Sequence, residues 1–151
     1  MAAKPKKFTY EYPRPAVTVD VILATREVRP RVLLIQRKKD PFAGAWALPG
    51  GFVEENEKLA EAARRELKEE TSLDIAEIEQ LYTAGDPGRD PRGWTISVVY
   101  LARVNAKDLK PMAADDAKAV GWFPLDKLPK LAFDHAMLLA RARARIADRE
   151  G

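Results

Sequence analysis

A cluster of glutamates directly after Arg65 carries the strongest chemical signal in the sequence. Glu66, Glu69 and Glu70 stand at helical spacing, so a helix would place their carboxylates along one side. Like charges at this spacing repel each other, and carboxylates near the C-terminal end of a helix oppose its dipole. A divalent cation reverses these penalties, and Mg²⁺ typically binds through a few carboxylates together with substrate phosphates. The cluster therefore predicts a site for Mg²⁺, with Mn²⁺ as an alternative ion.

The residues before the cluster are suited to support such a site. Glu57 lies eight residues before Arg65, and the loop before the helix can fold this carboxylate back into an ion pair that orients the metal ligands. Gly50 and Gly51 follow Pro49, so we expect the backbone to turn sharply there and a carbonyl in that turn to be available as a further ligand. The alternative interpretation is a solvated acidic face, because glutamate-rich surface helices are common.

The complete spacing resembles the Nudix box, G-x5-E-x7-R-E-U-x-E-E-x-G-U, in which U is an apolar residue. Eight of its nine specified positions are filled, by Gly51, Glu57, Arg65, Glu66, Leu67, Glu69, Glu70 and Leu73. Residues 46–53 also resemble the segment that leads into the box in this family. Ser72 stands where the family has glycine at the end of the helix, and a left-handed serine there costs about 1 kcal/mol. This departure removes no metal ligand.

The resemblance implies a reaction as well as a site. Nudix enzymes cleave a nucleoside diphosphate linked to another group, with the diphosphate charge neutralised by metal and water attacking one phosphorus. The residues carried over as catalytic are Glu69, Glu66, Arg65 and Glu57, and those carried over as metal ligands are Glu66, Glu70, Glu69 and the carbonyl of Gly50. Within this set Arg65 and Glu57 are expected to support the ligands, and Glu69 to act as a third ligand or to orient the attacking water.

The substrate is expected to be decided outside the box. The composition of residues 85–94, GDPGRDPRGW, indicates a turn, whereas its pattern resembles the ADP-ribose pyrophosphatase branch of the family. Residues 131–135 also resemble that branch, although His135 is favoured as a structural residue. The branch implies hydrolysis of ADP-ribose to AMP and ribose 5-phosphate. Other nucleoside diphosphate sugars, dinucleotide cofactors and oxidised nucleotides remain alternatives.

Five residues outside the box are predicted to bind substrate: Arg37, Trp46, Arg89, Arg92 and Asp116. Arg89 or Arg92 is expected to contact the diphosphate or the terminal ribose. Arg37 ends a predicted strand and is expected to reach phosphate or pair with a carboxylate. Trp46 either stacks on adenine or packs in the core. Asp116 is the candidate for a further acid from a loop, the alternative being an ordinary solvated aspartate.

Composition excludes several other kinds of site and partner. The sequence has no cysteine and one histidine, which excludes disulfides, thiolate metal sites and multi-histidine zinc sites. No apolar run reaches transmembrane length, and the N-terminus lacks the apolar region of a signal peptide, so we expect a cytoplasmic protein without a membrane partner. The net charge is only +3. Arg141, Arg145 and Arg149 indicate a solvated basic face, because no aromatic residue is interleaved with them, and no nucleic-acid partner is expected.

The elements that must position these residues predict an α/β fold. Strands are predicted over residues 16–24, 32–37, 46–48, 73–83, 95–104 and 119–123, and helices after an Asn56 cap and over 134–149. Strands with two long helices imply a sheet covered on both faces. The Nudix resemblance implies the same α/β/α sandwich around a mixed β-sheet. Residues 1–15 are expected to form a basic N-terminal tail, and residues 16–151 a single Nudix domain.

A second class of function remains open at this point. Nudix domains also occur as ligand sensors that have lost catalysis, and such sensors commonly carry a DNA-binding domain after the Nudix domain. The sequence ends soon after its last predicted helix and keeps its acidic residues, which together favour the enzyme. The expected partner is a small nucleotide diphosphate, and a homodimer is possible.

Overall fold

The computed structural model describes residues 6–148 and contains one mixed sheet between two helices. The strands are β1 (Ala16–Thr25), β2 (Arg31–Arg37), β3 (Trp46–Ala47), β4 (Gly50–Phe52), β5 (Glu79–Ala84), β6 (Thr95–Val104) and β7 (Ala117–Pro124). The helices are α1 (Leu59–Thr71) and α2 (His135–Ala147), and a short 3₁₀ turn covers Ala106–Asp108. Residues 1–5 of the expected tail and Arg149 of the expected basic face lie outside the described residues. Residues 6–15 contain neither helix nor strand.

The sheet is mixed because β1 pairs in parallel with β6 and antiparallel with β2 and β4. The main strand order is β3-β2-β1-β6-β5, with β7 paired to β2 and β4 paired to β1. The long strands β1 and β6 lie side by side over their full ten residues. The predicted α/β/α sandwich with a mixed β-sheet is confirmed.

The side chains of β1 point alternately to the face of the sheet that α1 covers and to the face that α2 covers. Val19 and Val21 pack in the apolar cluster of α1, whereas Ile22 and Ala24 pack in the cluster of α2. Successive side chains of a strand point to opposite faces, so a strand buried on both faces is apolar almost throughout. Asp20 interrupts this run on the α2 face, where it is buried.

Three local expectations from the sequence are wrong. Residues 73–78 precede the strand instead of belonging to it, and β5 begins at Glu79. Asn56 does not cap α1, since Lys58 is the capping residue and Asn56 adopts a left-handed turn conformation with φ of 62°, which asparagine tolerates well. Gly50 and Gly51 form strand β4 instead of a sharp turn.

Ser72, at the end of α1, adopts the left-handed conformation that is expected where the Nudix box has glycine. Ser72 is left-handed, with φ of 64°, and its backbone N–H donates to the carbonyl of Lys68. Its hydroxyl donates to the carbonyl of Met112 at 3.1 Å. This added hydrogen bond offsets part of the conformational cost of a left-handed serine.

Among residues 6–148, neither α1 nor α2 has the length and apolar composition that a membrane-spanning helix needs.

Candidate active site

Gly50 and Gly51 are required by close approach of the backbone to two neighbours. A Cβ added to Gly51 would lie 2.6 Å from the carboxylate of Glu66, and one added to Gly50 would lie 2.2 Å from the carbonyl oxygen of Val19. A side chain at Gly50 would therefore collide with the backbone of β1, and one at Gly51 would displace the Glu66 carboxylate from its position. The two glycines therefore let β4 fit between β1 and α1, which brings the backbone of the strand against the helix carboxylates.

The carbonyl of Gly50 is available on the side of the strand that faces the carboxylates. The N–H of Val21 donates to the carbonyl of Pro49 at 2.8 Å. Gly50 is therefore at a non-hydrogen-bonded position opposite Asp20, and its backbone N–H and C=O both point away from β1. The N–H donates to the Glu70 carboxylate at 2.7 Å. The carbonyl points to the same side and can serve as an oxygen ligand beside Glu70.

Arg65 is the centre of the ion-pair network that holds the acidic cluster. It forms two hydrogen bonds to Glu57, of 2.6 and 2.9 Å. It also contacts Glu66 at 2.8 Å, Glu69 at 3.2 Å and the carbonyl of Phe52 at 3.1 Å. The bond to Glu57 raises the pKa of Arg65, and the bond from Arg65 lowers the pKa of Glu57. The pairing expected from the sequence is present, and it joins α1 to β4 and to the loop before the helix.

The two carboxylates nearest β4 are energetically costly in the metal-free protein. Burial raises the pKa of Glu66 and raises that of Glu70 from 4.5 to about 8. Glu70 is 7% exposed and is further raised by the charges of Glu66 and Asp20. A cation between them would remove this penalty, because its charge favours the ionised form of each carboxylate.

The donor set fits a divalent cation that is shared with a substrate. No group of three acidic, histidine or cysteine side chains within residues 6–148 is arranged to hold an ion. Glu66, Glu70 and the carbonyl of Gly50 supply three hard oxygen donors, which is the partial set that Mg²⁺ usually receives from proteins when phosphates and water complete its coordination. Glu69, which is more exposed, lies on the outer side of the same group.

The buried carboxylates predict an unusual dependence of stability on pH. Burial raises the pKa of Glu70 from 4.5, its ordinary value, to about 8 in the folded protein. Between pH 4.5 and about 8 the folded protein therefore binds more protons than the unfolded chain. The free energy of unfolding of the metal-free protein is then expected to fall as pH rises through this window. Thermal denaturation in the presence of a chelator measures it. Glu70→Gln should weaken the decline, and a stability that rises across the window contradicts the burial assigned to Glu70.

The acidic cluster lines a cleft of about 470 Å³, called here the carboxylate cleft. Its walls include Glu66, Glu69, Glu70, Gly50, Gly51, Phe52, Arg37, Arg92, Asp115 and Asp116. The loop that contains Asp116 is attached to the end of α1, because the N–H of Ala114 donates to the carbonyl of Glu70 at 3.2 Å. Asp116 pairs with Lys39 at 3.3 Å and is largely exposed. It therefore reaches the cleft as the sequence suggested, at its outer edge.

Two arginines that also line the cleft, Arg37 and Arg92, form what is called here its basic rim and contact aromatic rings. The Arg92 guanidinium lies between Phe52 and Phe133, 4.7 and 4.6 Å from their ring centres, and that of Arg37 lies 4.9 Å from Phe133. Burial lowers the pKa of Arg37. Phe133 has φ of 51°, a strained conformation for a bulky residue that persists only where neighbours enforce it. The rim thus adds positive charge to the cleft that contains the carboxylates.

Arg89 and Trp46 both make contacts that hold the fold together. Arg89 is buried, forms a bidentate pair with Asp134 at 2.7 and 2.9 Å, and donates to Ser97 at 2.7 Å. It joins the 85–94 loop to the start of α2, whereas Arg92, the other arginine predicted for the diphosphate, lines the carboxylate cleft. Trp46 packs edge to face against Phe123 at 4.7 Å, partly buried beside the core cluster of α2, which is the second of the two positions predicted for it.

Asp20 is a buried residue of the site that the sequence reading missed. Its carboxyl lies 3.5 Å from Nε2 of His135, and burial raises its pKa from 3.8 to about 7. His135 accepts a hydrogen bond at Nδ1 from the N–H of Leu48 at 3.0 Å, and burial lowers its pKa to about 4. The sequence pattern that could have identified Asp20 is a single carboxylate in the middle of an apolar strand, since such groups are seldom buried without a reason.

A second, larger cleft is remote from this chemistry. It has a volume of about 650 Å³ and is lined by residues at the C-terminal ends of β1 and β6, including Thr25 and Val104, and by Trp122 of β7. The carboxylates of α1 are not among its walls. Size alone therefore does not identify the site, and we assign it from the donor set and the charge distribution.

Comparison with known proteins places these features in one family. The chain matches the NUDIX domain family over residues 14–142. It is 49% identical over 129 residues to an ADP-ribose pyrophosphatase of Methanocaldococcus jannaschii, covering 85% of this chain and 73% of that protein. It is 40% identical over 141 residues to the ADPR responsive transcriptional repressor NtrR of Acinetobacter baylyi, covering 90% of this chain but only 56% of the repressor.

A solved structure gives the same result for the fold. The NUDIX domain of Shewanella oneidensis NrtR, crystallised in complex with ADP ribose, superposes with a TM-score of 0.82 at 38% sequence identity. The match covers 89% of this chain and 90% of that domain. The similarity therefore extends over most of this chain and most of that domain.

Proposed function

The chain belongs to the Nudix family, and from this we propose that it is a metal-dependent pyrophosphohydrolase whose substrate is ADP-ribose, cleaved to AMP and ribose 5-phosphate. One observation carries the proposal. Glu66, Glu70 and Gly50 line the same cleft as Arg37 and Arg92. Oxygen ligands and guanidinium groups in one cleft match a diphosphate that is bound to a divalent cation.

The acidic residues of the cleft and the residues that hold them have different roles in this proposal. Glu66, Glu70 and Gly50 hold the cation, which when bound neutralises the diphosphate and assists attack by water. Glu69 is placed to orient that water or to complete the ligand set. Arg65, held in turn by Glu57, fixes the rotamers of the glutamates and contacts no reacting atom.

The choice of ADP-ribose is supported by the named relatives. A pyrophosphatase of ADP-ribose is 49% identical over most of this chain, and the NUDIX domain that superposes well was crystallised with ADP ribose. Other similar proteins carry names with different substrates, among them a human 8-oxo-dGDP phosphatase at 37% identity over 109 residues. The family alone therefore does not select the substrate.

A turnover screen tests the proposed substrate. Purified protein is incubated with ADP-ribose, other nucleoside diphosphate sugars, dinucleotide cofactors and oxidised nucleotides, each with Mg²⁺ or Mn²⁺. We expect the highest specificity constant for ADP-ribose, with AMP and ribose 5-phosphate released in equal amounts. A higher specificity constant for an oxidised nucleotide would contradict ADP-ribose and leave the metal chemistry in place.

Arg92 and Arg89 are expected to respond differently to substitution. Arg92→Gln removes a charge at the rim but keeps a donor for Asp90, so the specificity constant for ADP-ribose should fall about ten- to a hundredfold. Arg89→Ala leaves Asp134 without its partner in a buried pair, which should lower stability by about 3 to 5 kcal/mol. Steady-state kinetics and denaturant unfolding separate the two effects. Equal losses of stability in both variants would contradict the substrate role of Arg92.

A ligand sensor is the second candidate function. The repressor NtrR is 40% identical to this chain over 141 residues, and the NUDIX domain of NrtR was crystallised with ADP ribose. A sensor would bind ADP-ribose without turnover. Calorimetry together with product analysis separates these functions, because an enzyme consumes the ligand on the time scale of the titration in the presence of metal.

Four finer expectations belong to the same proposal. We propose Mg²⁺ as the working ion with Mn²⁺ as a substitute, because the donors are all oxygens. We propose residues 16–151 as one Nudix domain, the cytoplasm as its location, and a homodimer as its assembly. Light scattering measures the assembly, and metal titrations of activity measure the preferred ion.

A further inference from the structure

A narrow slot adjoins the carboxylate cleft on the α2 face of the sheet. It has a volume of about 40 Å³. Gly50, Glu70, Arg37 and Arg92 line both spaces, so a ligand in the cleft is in reach of the slot. The carboxyl of Asp20 is in the wall of the slot, at the middle of β1. The metal chemistry proposed above uses no group from this slot except those it shares with the cleft.

The Asp20 carboxyl has acceptor capacity that its neighbours leave unused. Ser97 supplies a hydrogen bond to it, but the same hydroxyl is also shared with Thr18. The other close donor is Nε2 of His135, at a distance of 3.5 Å that is long for a hydrogen bond. A carboxylate can accept about four hydrogen bonds. Asp20 is only 6% exposed, so further donors must come from a ligand or water inside the slot.

Size and charge restrict what the slot can accept. A volume of about 40 Å³ is close to the roughly 30 Å³ that one water occupies in the liquid, which excludes a nucleobase. Three arginines lie beside the slot. Arg89 is paired with Asp134 and Arg92 with Asp90, and both Arg37 and Arg92 also line the carboxylate cleft, where the diphosphate is proposed to bind. An anionic group in the slot would lie beside the carboxyl of Asp20 and would compete with the diphosphate for Arg37. Small neutral donors, such as the hydroxyls on one edge of a sugar, fit both limits.

We propose that the Asp20 slot binds the vicinal hydroxyls of a ribose while the diphosphate of the same ligand occupies the carboxylate cleft. The inference rests on the proposed function, because ADP-ribose carries one ribose on each side of its diphosphate. The adenosine ribose and the terminal ribose share this chemistry. Asp20 accepts from the hydroxyls, and His135, held as a neutral donor at Nε2 by the bond from Leu48 to Nδ1, supports them from the other side.

Binding of products with and without the relevant hydroxyl tests the slot. Dissociation constants are measured by calorimetry with Mg²⁺ for ribose 5-phosphate and 2-deoxyribose 5-phosphate, and for AMP and its 2′-deoxy and 3′-deoxy forms. We expect the hydroxylated member of one of the two series to bind about ten- to a hundredfold more tightly, since a hydrogen bond to a charged group is involved. The series that discriminates identifies which ribose enters.

Substitution of Asp20 links any discrimination to the slot. Asp20→Leu keeps a branched shape but removes both acceptor oxygens, so it should abolish the preference for the hydroxylated ligand. Asp20→Asn keeps one acceptor and should retain part of it. Asp126→Asn removes an exposed carboxylate at a remote ion pair and should change nothing. Ser97→Ala, which also weakens the slot, provides a second test if Asp20→Leu does not fold, as judged by thermal denaturation.

The outcomes separate this inference from the proposed function. Hydroxylated and deoxy ligands that bind equally well to the wild-type protein contradict the slot, as does a preference that persists in Asp20→Leu. A protein that cleaves ADP-ribose but ignores the hydroxyls contradicts the slot alone. A protein that discriminates between the hydroxylated and deoxy products yet fails to cleave ADP-ribose contradicts the proposed function and supports the slot, because product binding does not require turnover.

Discussion

Replacing Glu70 by glutamine is expected to lower turnover about a hundred- to a thousandfold and leave the fold intact. A metal in this position contributes several kcal/mol to the transition state, and each 1.36 kcal/mol is a factor of ten in rate. The loss of turnover follows because the amide keeps the shape of Glu70 but removes its charge. The fold should tolerate the change, because burial already raises the pKa of Glu70 to about 8 and a neutral amide removes that penalty.

Kinetics and denaturation measured on the same preparations check this prediction. Glu61→Gln is the matched control, since Glu61 is exposed in the first turn of the same helix and lies outside the carboxylate cleft. Metal affinity should fall in Glu70→Gln and stay unchanged in Glu61→Gln. Near wild-type turnover of Glu70→Gln at saturating Mg²⁺ would show that Glu70 does not hold the catalytic ion.

Replacing Arg65 by alanine is expected to damage both stability and metal binding. Arg65 contacts Glu57, Glu66, Glu69 and the carbonyl of Phe52, and its removal leaves several acceptors of the network unpaired. We expect a loss of about 1 to 3 kcal/mol in the free energy of unfolding. Metal affinity and turnover should fall about ten- to a hundredfold, as they do when partners that orient metal ligands are lost.

An orienting role of Arg65 and a substrate contact change different kinetic constants. If Arg65 acts through the glutamates, kcat and metal affinity fall and the Michaelis constant for ADP-ribose changes little. Arg64→Ala is the neighbouring control, since Arg64 is on the same helix, donates to the carbonyl of Ala76 at 3.3 Å and is not part of the wall of the carboxylate cleft. An Arg65→Ala protein with intact metal affinity and a raised Michaelis constant would assign this residue to the substrate.

The sequence predicted the chemistry of the cleft better than its geometry. Local spacing was sufficient for the glutamates of α1, because helical periodicity decides which side chains share a face. The contact of Arg65 with Glu57 followed from the same spacing and the Nudix pattern. The strands β1 and β6 were also predictable, since their apolar, β-branched residues are typical of buried strands.

Long-range contacts decided the features that the sequence could not predict. Gly50 and Gly51 suggested a turn, but what they permit is the approach of β4 to Val19 and Glu66, which lie far away in the sequence. Arg89 looked like a loop residue free to bind phosphate, and only the folded chain brings it to Asp134, 45 residues later. Such pairings depend on the arrangement of elements, which no local pattern specifies.

Asp20 is the clearest example of a site residue whose environment the sequence could not predict. A single aspartate in an apolar strand is compatible with a solvated edge, a bulge or a buried site. In the structure its side chain is buried on the α2 face of the sheet, next to His135 of α2 and Ser97 of β6. Its neighbours Ser97 and His135 come from elements more than 70 residues away in the sequence, so the slot exists only in the folded chain.

One measurement tests the metal-dependent hydrolysis of ADP-ribose most directly. Metal-free protein is mixed with ADP-ribose and followed by phosphorus NMR before and after Mg²⁺ is added. We predict that the diphosphate signals persist without the cation and are replaced after its addition by two phosphomonoester signals, those of AMP and ribose 5-phosphate. Diphosphate signals that remain after Mg²⁺ is added, or that disappear equally fast with a chelator present, would contradict the account.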